Sequence, residues 1–296
     1  MDPRTRVDLH AHTSRSDGVR PPVDLLARMA EAGMAVVAIT DHDTLAGVAE
    51  IRAAGVGATG PHVVTGIEIN TVGTEVLGRH GLGRDGEELH LLGYGMDPAH
   101  AGLAAALERQ RTARRDRIAL TLERVAAMGM HIELDLDAID AQDGSAVGRP
   151  HVARALVAAG YATDVSDAFA RWLGHGCPCY VPRQGLGPRD AIEAITAAGG
   201  IPVLAHSPDA PERASVMTEL MDWGLRGLEV YYRRWDGITI ERMARFAVER
   251  GLLATGGSDY HGDDMGYADA IATIRIPDVV GEALLAALAT RPRVRA

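Results

Sequence analysis

The run Ala35-Val-Val-Ala-Ile-Thr40 most restricts what this chain can fold into. It is continuously apolar and too short for a helix, which marks a strand buried on both faces. Such a strand needs helices to cover it, and the flanking sequence supplies them. Pro21–Met34 reads as a helix, with proline near its start and Gly33 near its end. Leu45–Ala54 reads as a second helix, ended by Gly55. Val7–His12 and His62–Asn70 read as further strands. This βαβαβ rhythm predicts a parallel sheet or barrel.

The rhythm breaks over 71–95. There, Thr74-Glu-Val-Leu-Gly78 and Glu88-Leu-His-Leu-Leu-Gly93 are expected to form a hairpin around a Gly-rich loop. Pro98–Met128 carries helical spacing at Leu103, Leu107, Ile118, Leu122 and Val125, and short helical pieces continue to Trp172. Arg109, Arg111, Arg114, Arg115 and Arg117 crowd the long helix and read as a solvated face. Alternation resumes near Pro188. A helix to Ala198 precedes a strand at Gly200–His206, a helix at Glu212–Trp223 precedes a strand at Gly227–Tyr232, and a helix at Ile238–Arg250 precedes a strand at Leu252–Asp259. The pattern predicts an α/β barrel over 1–104 and 186–296, with a small helical insertion domain over 105–185.

With 296 residues and 47% hydrophobic content, the chain can bury a large core. No apolar run reaches the length of a membrane span. Met1-Asp-Pro-Arg4 lacks the apolar stretch of a signal peptide, so the expected location is cytoplasmic. The net charge of −10 opposes a general nucleic-acid surface. It permits a small phosphorylated substrate, because bound cations would reverse the sign locally. All 30 basic residues are arginine, which excludes Schiff-base lysine chemistry and a P-loop lysine. Cys177 and Cys179 make a single Cys-Pro-Cys, lacking the second pair of a zinc ribbon, and are expected as reduced thiols.

Chemistry concentrates in the histidines and acids. Asp8-Leu-His-Ala-His12 places two imidazoles at i and i+2, on one side of an extended strand, as a ready pair of metal ligands. His42, Glu68, His206, Asp259 and His261 fall at the C-terminal ends of other predicted strands, His90 on the hairpin and Asp17 just downstream of the first strand. In a parallel barrel that end gathers the chemistry. Together these residues predict a multinuclear metal site.

Asp8-Leu-His-Ala-His12, Ser16-Asp-Gly18, Ile39-Thr-Asp-His-Asp-Thr44, Gly66-Ile-Glu68, Ala205-His206 and Gly257-Ser-Asp-Tyr-His261 resemble, in order and spacing, the PHP (polymerase and histidinol phosphatase) superfamily over nearly the whole chain. Gly148-Arg-Pro-His-Val-Ala-Arg-Ala-Leu156 and Tyr180-Val-Pro182 resemble its branch of 3′,5′-nucleoside bisphosphate phosphatases and 5′-to-3′ exoribonucleases. The resemblance implies a distorted (β/α)7 barrel that holds two or three divalent cations. By motif, His10, His12, Glu68 and Asp259 would hold the first cation, Glu68, His90 and His206 the second, and Asp17, His42 and His261 the third. Asp17 stands where the family often has histidine. A harder ligand there favours Mn²⁺, with Fe²⁺ or Zn²⁺ as alternatives. Ser207 follows His206 where proline is commoner, and His80 competes with His90 for its role.

The implied activity is hydrolysis of a phosphate monoester of a small nucleotide by a metal-bridging hydroxide, turning a 3′,5′-nucleoside bisphosphate into a 5′-nucleotide and phosphate. His206 and Asp259 are the expected catalytic residues. The alternatives are a 5′-to-3′ exoribonuclease acting on short RNA and a non-catalytic metal-binding module. No protein or membrane partner is implied. Arg149 and His151 are candidate substrate-phosphate ligands, because Gly148 and Pro150 fix a turn; the competing reading is a helix start with a solvated arginine. Asp41 and Asp43 either orient His42 or cap the helix after Thr44. Tyr231, Tyr232, Arg233, Arg234 and Trp235 follow a barrel strand, where an aromatic either stacks on a base or packs beneath a loop.

Overall fold

The computed structural model describes residues 5–55, 60–82, 87–140 and 144–291. The Met1–Arg4 segment and residues 83–86 of the expected Gly-rich loop lie outside them. Among the described residues a 7-stranded sheet runs in chain order: β1 (Val7–Asp8), β2 (Val36–Ile39), β3 (His62–Val72), β4 (Glu88–Tyr94), β5 (Ile201–Leu204), β6 (Gly227–Tyr232) and β7 (Leu253–Gly257). Neighbouring strands are parallel except at β4, which is antiparallel to both β3 and β5. Beyond β1 the chain bonds to the other edge. Leu9 N donates to Gly256 O at 3.1 Å and Asp259 N donates to His10 O at 2.8 Å. The sheet is therefore a nearly closed barrel, the α/β architecture that the alternation predicts.

Helices cover the barrel as the buried strands require. The helix α1 (Pro22–Glu31) starts on proline, buries Leu25, Leu26 and Met29, and is followed by Gly33 at φ +79°. The next is α2 (Ala46–Ala53). Then comes a departure from the sequence reading, because Thr74–Gly78 is not a strand but lies in α3 (Thr74–Arg79). Its adjacent Val76 and Leu77 pack into one apolar cluster from the helix face, whereas a half-buried hairpin strand would turn them to opposite sides. The hairpin partner of β4 is instead the second half of β3, with Asn70 opposite His90 and Glu68 opposite Leu92.

The long α4 (Ala101–Ala127) leads into α5 (Leu136–Asp140), α6 (Arg149–Ala158), α7 (Val165–Ala168) and a π-helical turn at Phe169–Leu173. Ile118, Val125, Val152, Leu156, Leu173 and Cys179 make a cluster of their own, apart from the two apolar clusters of the barrel. The remaining helices are α8 (Pro188–Ala197), α9 (Ala214–Asp222), α10 (Gly237–Arg250), α11 (Tyr267–Ala272) and α12 (Asp278–Ala289). No described helix is long and apolar enough to cross a membrane. Cys177 and Cys179 are free thiols.

Candidate metal centre

Strand ends deliver the histidines and acids to one point. His10 and His12 follow β1, His42 follows β2, His206 follows β5, and Asp259 and His261 follow β7, while Glu68 and His90 project from β3 and β4. Three sets of side chains have ligand atoms within 4.8 Å of one another: His12, Asp17, His42 and His261; His10, His12, Glu68 and Asp259; and Glu68, His90 and His206. Glu68 and His12 each belong to two sets. Glu68 Oε1 lies 2.8 Å from His90 Nδ1 and 3.0 Å from His206 Nε2, and its Oε2 lies 3.2 Å from His12 Nε2. The expected ligands are thus all brought together, and His12 joins the set around Asp17. His80 is elsewhere, paired with Glu219 at 2.6 Å.

The donor set fits divalent cations. His10 Nε2 faces His12 Nε2 at 3.1 Å, and His90 Nδ1 faces His206 Nε2 at 3.2 Å, so ring nitrogens converge where a shared positive ion would satisfy them. The Nδ1 atoms of His12 and His42 are buried without a hydrogen-bond partner. His42 Nδ1 is 3.0 Å from Glu68 Oε2 but misaligned for a hydrogen bond, so the two neighbouring sets meet there without pairing.

Without a cation the cluster must balance its own charge. Burial opposes a charge on His10, yet Glu229, Asp259 and Glu68 hold its pKa well above the ordinary value. Against the same burial, Asp259 and Glu68 push His12 up to about 10, and Glu68 raises His90 to about 9. Burial wins at His42, which falls to about 4. Glu68, Asp17 and Asp259 stay well below the usual carboxylate range, because neighbouring histidines outweigh their burial.

A second layer of contacts fixes the ligands. His10 Nδ1 pairs with Glu229 Oε1, a residue the motif reading missed although an acid in an apolar strand signals it. Asn70 Nδ2 lies 2.7 Å from His90 Nε2, and Tyr232 donates to Asp259 Oδ2 at 2.8 Å. Asp8 accepts from Ser258 N, Ser258 Oγ and Tyr267 OH, tying β1 to the loop that carries Asp259. Neither Asp41 nor Asp43 takes its expected role. Asp41 accepts from Thr13 and Ser16 on the loop to Asp17, and Asp43 binds Arg114 and Gln110, while Thr44 Oγ1 accepts from Ala46 N at the start of α2. Asp43, His206 and Asp259 are the described non-glycine residues with positive φ, at 53°, 26° and 48°. Backbone strain of this kind persists only where the surroundings impose it.

Over the cluster lies a cavity of about 260 Å³, walled partly by α4, α6 and the π-helical turn. Arg114, Arg117, Arg149, Arg183, Phe169, Tyr232 and Glu88 line it. Here the solvated-face reading of α4 fails. Gln110, Arg114, Arg117 and Thr121 form a stripe at helical spacing that is turned inward, and Arg114 and Arg117 are each 4% exposed. Arg149 reaches the cavity, whereas His151 turns back on its own helix start, where Gly148 N donates to its Nδ1 at 3.1 Å. Tyr232 lines the cavity, while Tyr231 and Trp235 pack against the barrel core.

The PHP domain model matches residues 8–135. A 5′-3′ exoribonuclease of Haemophilus influenzae is 33% identical over 86% of this chain and 90% of its own length. A 3′,5′-nucleoside bisphosphate phosphatase of Chromobacterium violaceum is 32% identical over 92% of this chain and 93% of its own. A solved structure from Bifidobacterium adolescentis, described as a candidate metal-dependent phosphoesterase, aligns with a TM-score of 0.78 at 29% identity over 96% of both chains.

Proposed function

The chain belongs to the PHP domain family of metal-dependent phosphoesterases, and we propose that its substrate is a small nucleotide with a terminal phosphate monoester, a 3′,5′-nucleoside bisphosphate being the leading case. The observation that carries this reading is the contact between the ligand cluster and the arginine-lined cavity, since a phosphate held by one touches the other.

His10, His12, Glu68 and Asp259 would hold one cation, Glu68, His90 and His206 a second, and Asp17, His42 and His261 with His12 a third. When bound, such cations polarise a phosphoryl oxygen and activate water at neutral pH. Manganese suits a set that mixes imidazole with the carboxylates of Asp17, Glu68 and Asp259. Arg149 and Arg117 bind the non-bridging phosphoryl oxygens by charge-assisted hydrogen bonds. His206 borders the cavity, so the Glu68, His90 and His206 set faces the space left for the phosphate. Asp259 is fixed by the Tyr232 hydroxyl, which keeps its carboxylate turned to the cluster. The segment 105–185 serves as a cap, because it supplies the arginines and Phe169 that line the cavity.

The test is phosphate release by Mn²⁺-loaded protein from a 3′,5′-bisphosphate nucleotide, set beside turnover of a 5′-phosphorylated oligonucleotide. Faster release from the mononucleotide supports the reading. Preference for the oligonucleotide replaces it with exonuclease action, and metal uptake without turnover of either leaves a binding module.

A further inference from the structure

Glu88 is a carboxylate inside a wall of cations. Its Oε2 accepts from Arg183 Nε at 2.8 Å, and its Oε1 lies 3.0 Å from Arg117 Nη1 and 3.4 Å from Arg149 Nη2. The same carboxylate stands 3.6 Å from the Nε2 of His90, whose other ring nitrogen faces Glu68. Arg114 has its own counter-ion in Asp43, which is 0% exposed and lies 4.0 Å from Arg183. Three guanidinium groups therefore share one carboxylate, a surplus of two positive charges at one end of a small cavity. Buried charge without a counter-charge is costly, so the surplus favours an anion there. A phosphate monoester carries about two negative charges at neutral pH. Arg117 Nη2 is buried with no hydrogen-bond partner, a donor left free for such an anion.

We propose that Glu88 is a positioning and specificity residue: it holds Arg117, Arg149 and Arg183 apart as a receptor whose remaining charge matches one phosphate dianion, and so keeps the released phosphate from being trapped. The proposal rests on the phosphoesterase reading above and adds to it which residue sets the strength of phosphate binding. Removing the carboxylate charge leaves three unmatched guanidinium groups. Removing one arginine as well restores a surplus of two.

The experiment measures inorganic phosphate as a product inhibitor of the Mn²⁺-loaded full chain, with kcat and KM for a bisphosphate nucleotide. E88Q is expected to bind phosphate about tenfold more tightly, with kcat and KM falling together because release slows. R183Q is expected to bind it about tenfold more weakly, and the double variant E88Q/R183Q to return to within about threefold of the parent. A merely structural Glu88 predicts the reverse for the double variant, namely phosphate binding weaker than in R183Q. That result, or an inhibition constant unchanged in E88Q, overturns the proposal. If E88Q does not fold, the double variant against R183Q decides alone. Phosphate binding followed by calorimetry reads the same pattern without turnover, so loss of nucleotide activity in the parent would sink the substrate reading and leave this test standing.

Discussion

His10 Nδ1 lies 2.9 Å from Glu229 Oε1, and both side chains are fully buried. The other oxygen of Glu229 accepts from the backbone N of His206 at 2.8 Å. One carboxylate on β6 thus orients a ring from the β1 end and a ligand-bearing loop from the β5 end. Changing it to the isosteric amide keeps the shape but weakens the orientation of both. Glu229→Gln is expected to lower metal affinity by about 10–100-fold, with the fold intact. Manganese titration followed by calorimetry, with circular dichroism as the fold control, checks this.

The ligands themselves give a sharper outcome. Asp259→Ala and His12→Ala each open the set around Glu68, and His12→Ala opens a second set as well. Each variant is expected to lose turnover while retaining the barrel, because neither residue belongs to the apolar clusters. Wild-type rates in either variant would remove that residue from the machinery.

The pH behaviour of the metal-free protein follows from its raised histidines. In the unfolded chain they titrate near their ordinary value of about 6.5. In the fold His90 reaches about 9 and His12 about 10, with His10 also well above normal. Their stabilisation is complete below the unfolded value and disappears as pH rises through the folded ones. The metal-free melting temperature is therefore expected to fall between pH 7 and pH 10. Cations displace those protons, so metal affinity should rise over the same interval and uptake at pH 7 should release protons to the buffer. A metal-free melting temperature that climbs with pH would contradict the sign.

The candidate metal ligands were legible because their positions are local. A strand ends where an apolar run ends, and histidine or acid at that point is visible without knowing the partner strand. The cavity wall was not legible, since it depends on which face of α4 meets the barrel. Arg109 is exposed and Arg111 and Arg115 half-buried beside the inward Arg114 and Arg117, so in sequence the stretch looks uniformly charged. The regular spacing of Gln110, Arg114, Arg117 and Thr121 within an otherwise apolar stripe was the available signal. The missed helix at Thr74 has a different origin. Its residues are short of any long-range period, and burial of adjacent Val76 and Leu77 is set by tertiary packing.

Close backbone approach supplies a further test. A Cβ added at Gly257 would stand 2.4 Å from both the N and the Cβ of His10. Neither atom is the end of a flexible side chain, so β1 and β7 must separate or His10 must move. Gly257→Ala is expected to cost about 1–3 kcal/mol of stability and to weaken the cation site that uses His10. Thermal melts with and without manganese distinguish it from an ordinary surface substitution, because the metal-dependent rise in melting temperature should shrink as well.

Two arginines of one cavity should separate by role. Arg114 is 4% exposed, is matched by the fully buried Asp43, and donates to Asn70 Oδ1 at 2.6 Å, which in turn reaches His90. Replacing it with methionine strands the Asp43 carboxylate, a loss of about 3–5 kcal/mol for a broken buried pair. Arg149 is more exposed, and its contacts to Leu173 O and Glu88 are both 3.4 Å, at the weak end of hydrogen bonding. Arg149→Met should leave the melting temperature nearly unchanged while raising KM for a phosphorylated substrate about tenfold or more. Denaturant melts paired with steady-state kinetics on both variants read the contrast. If Arg149→Met destabilises the protein as much as Arg114→Met and leaves KM alone, Arg149 holds the cap in place and does not bind the phosphate.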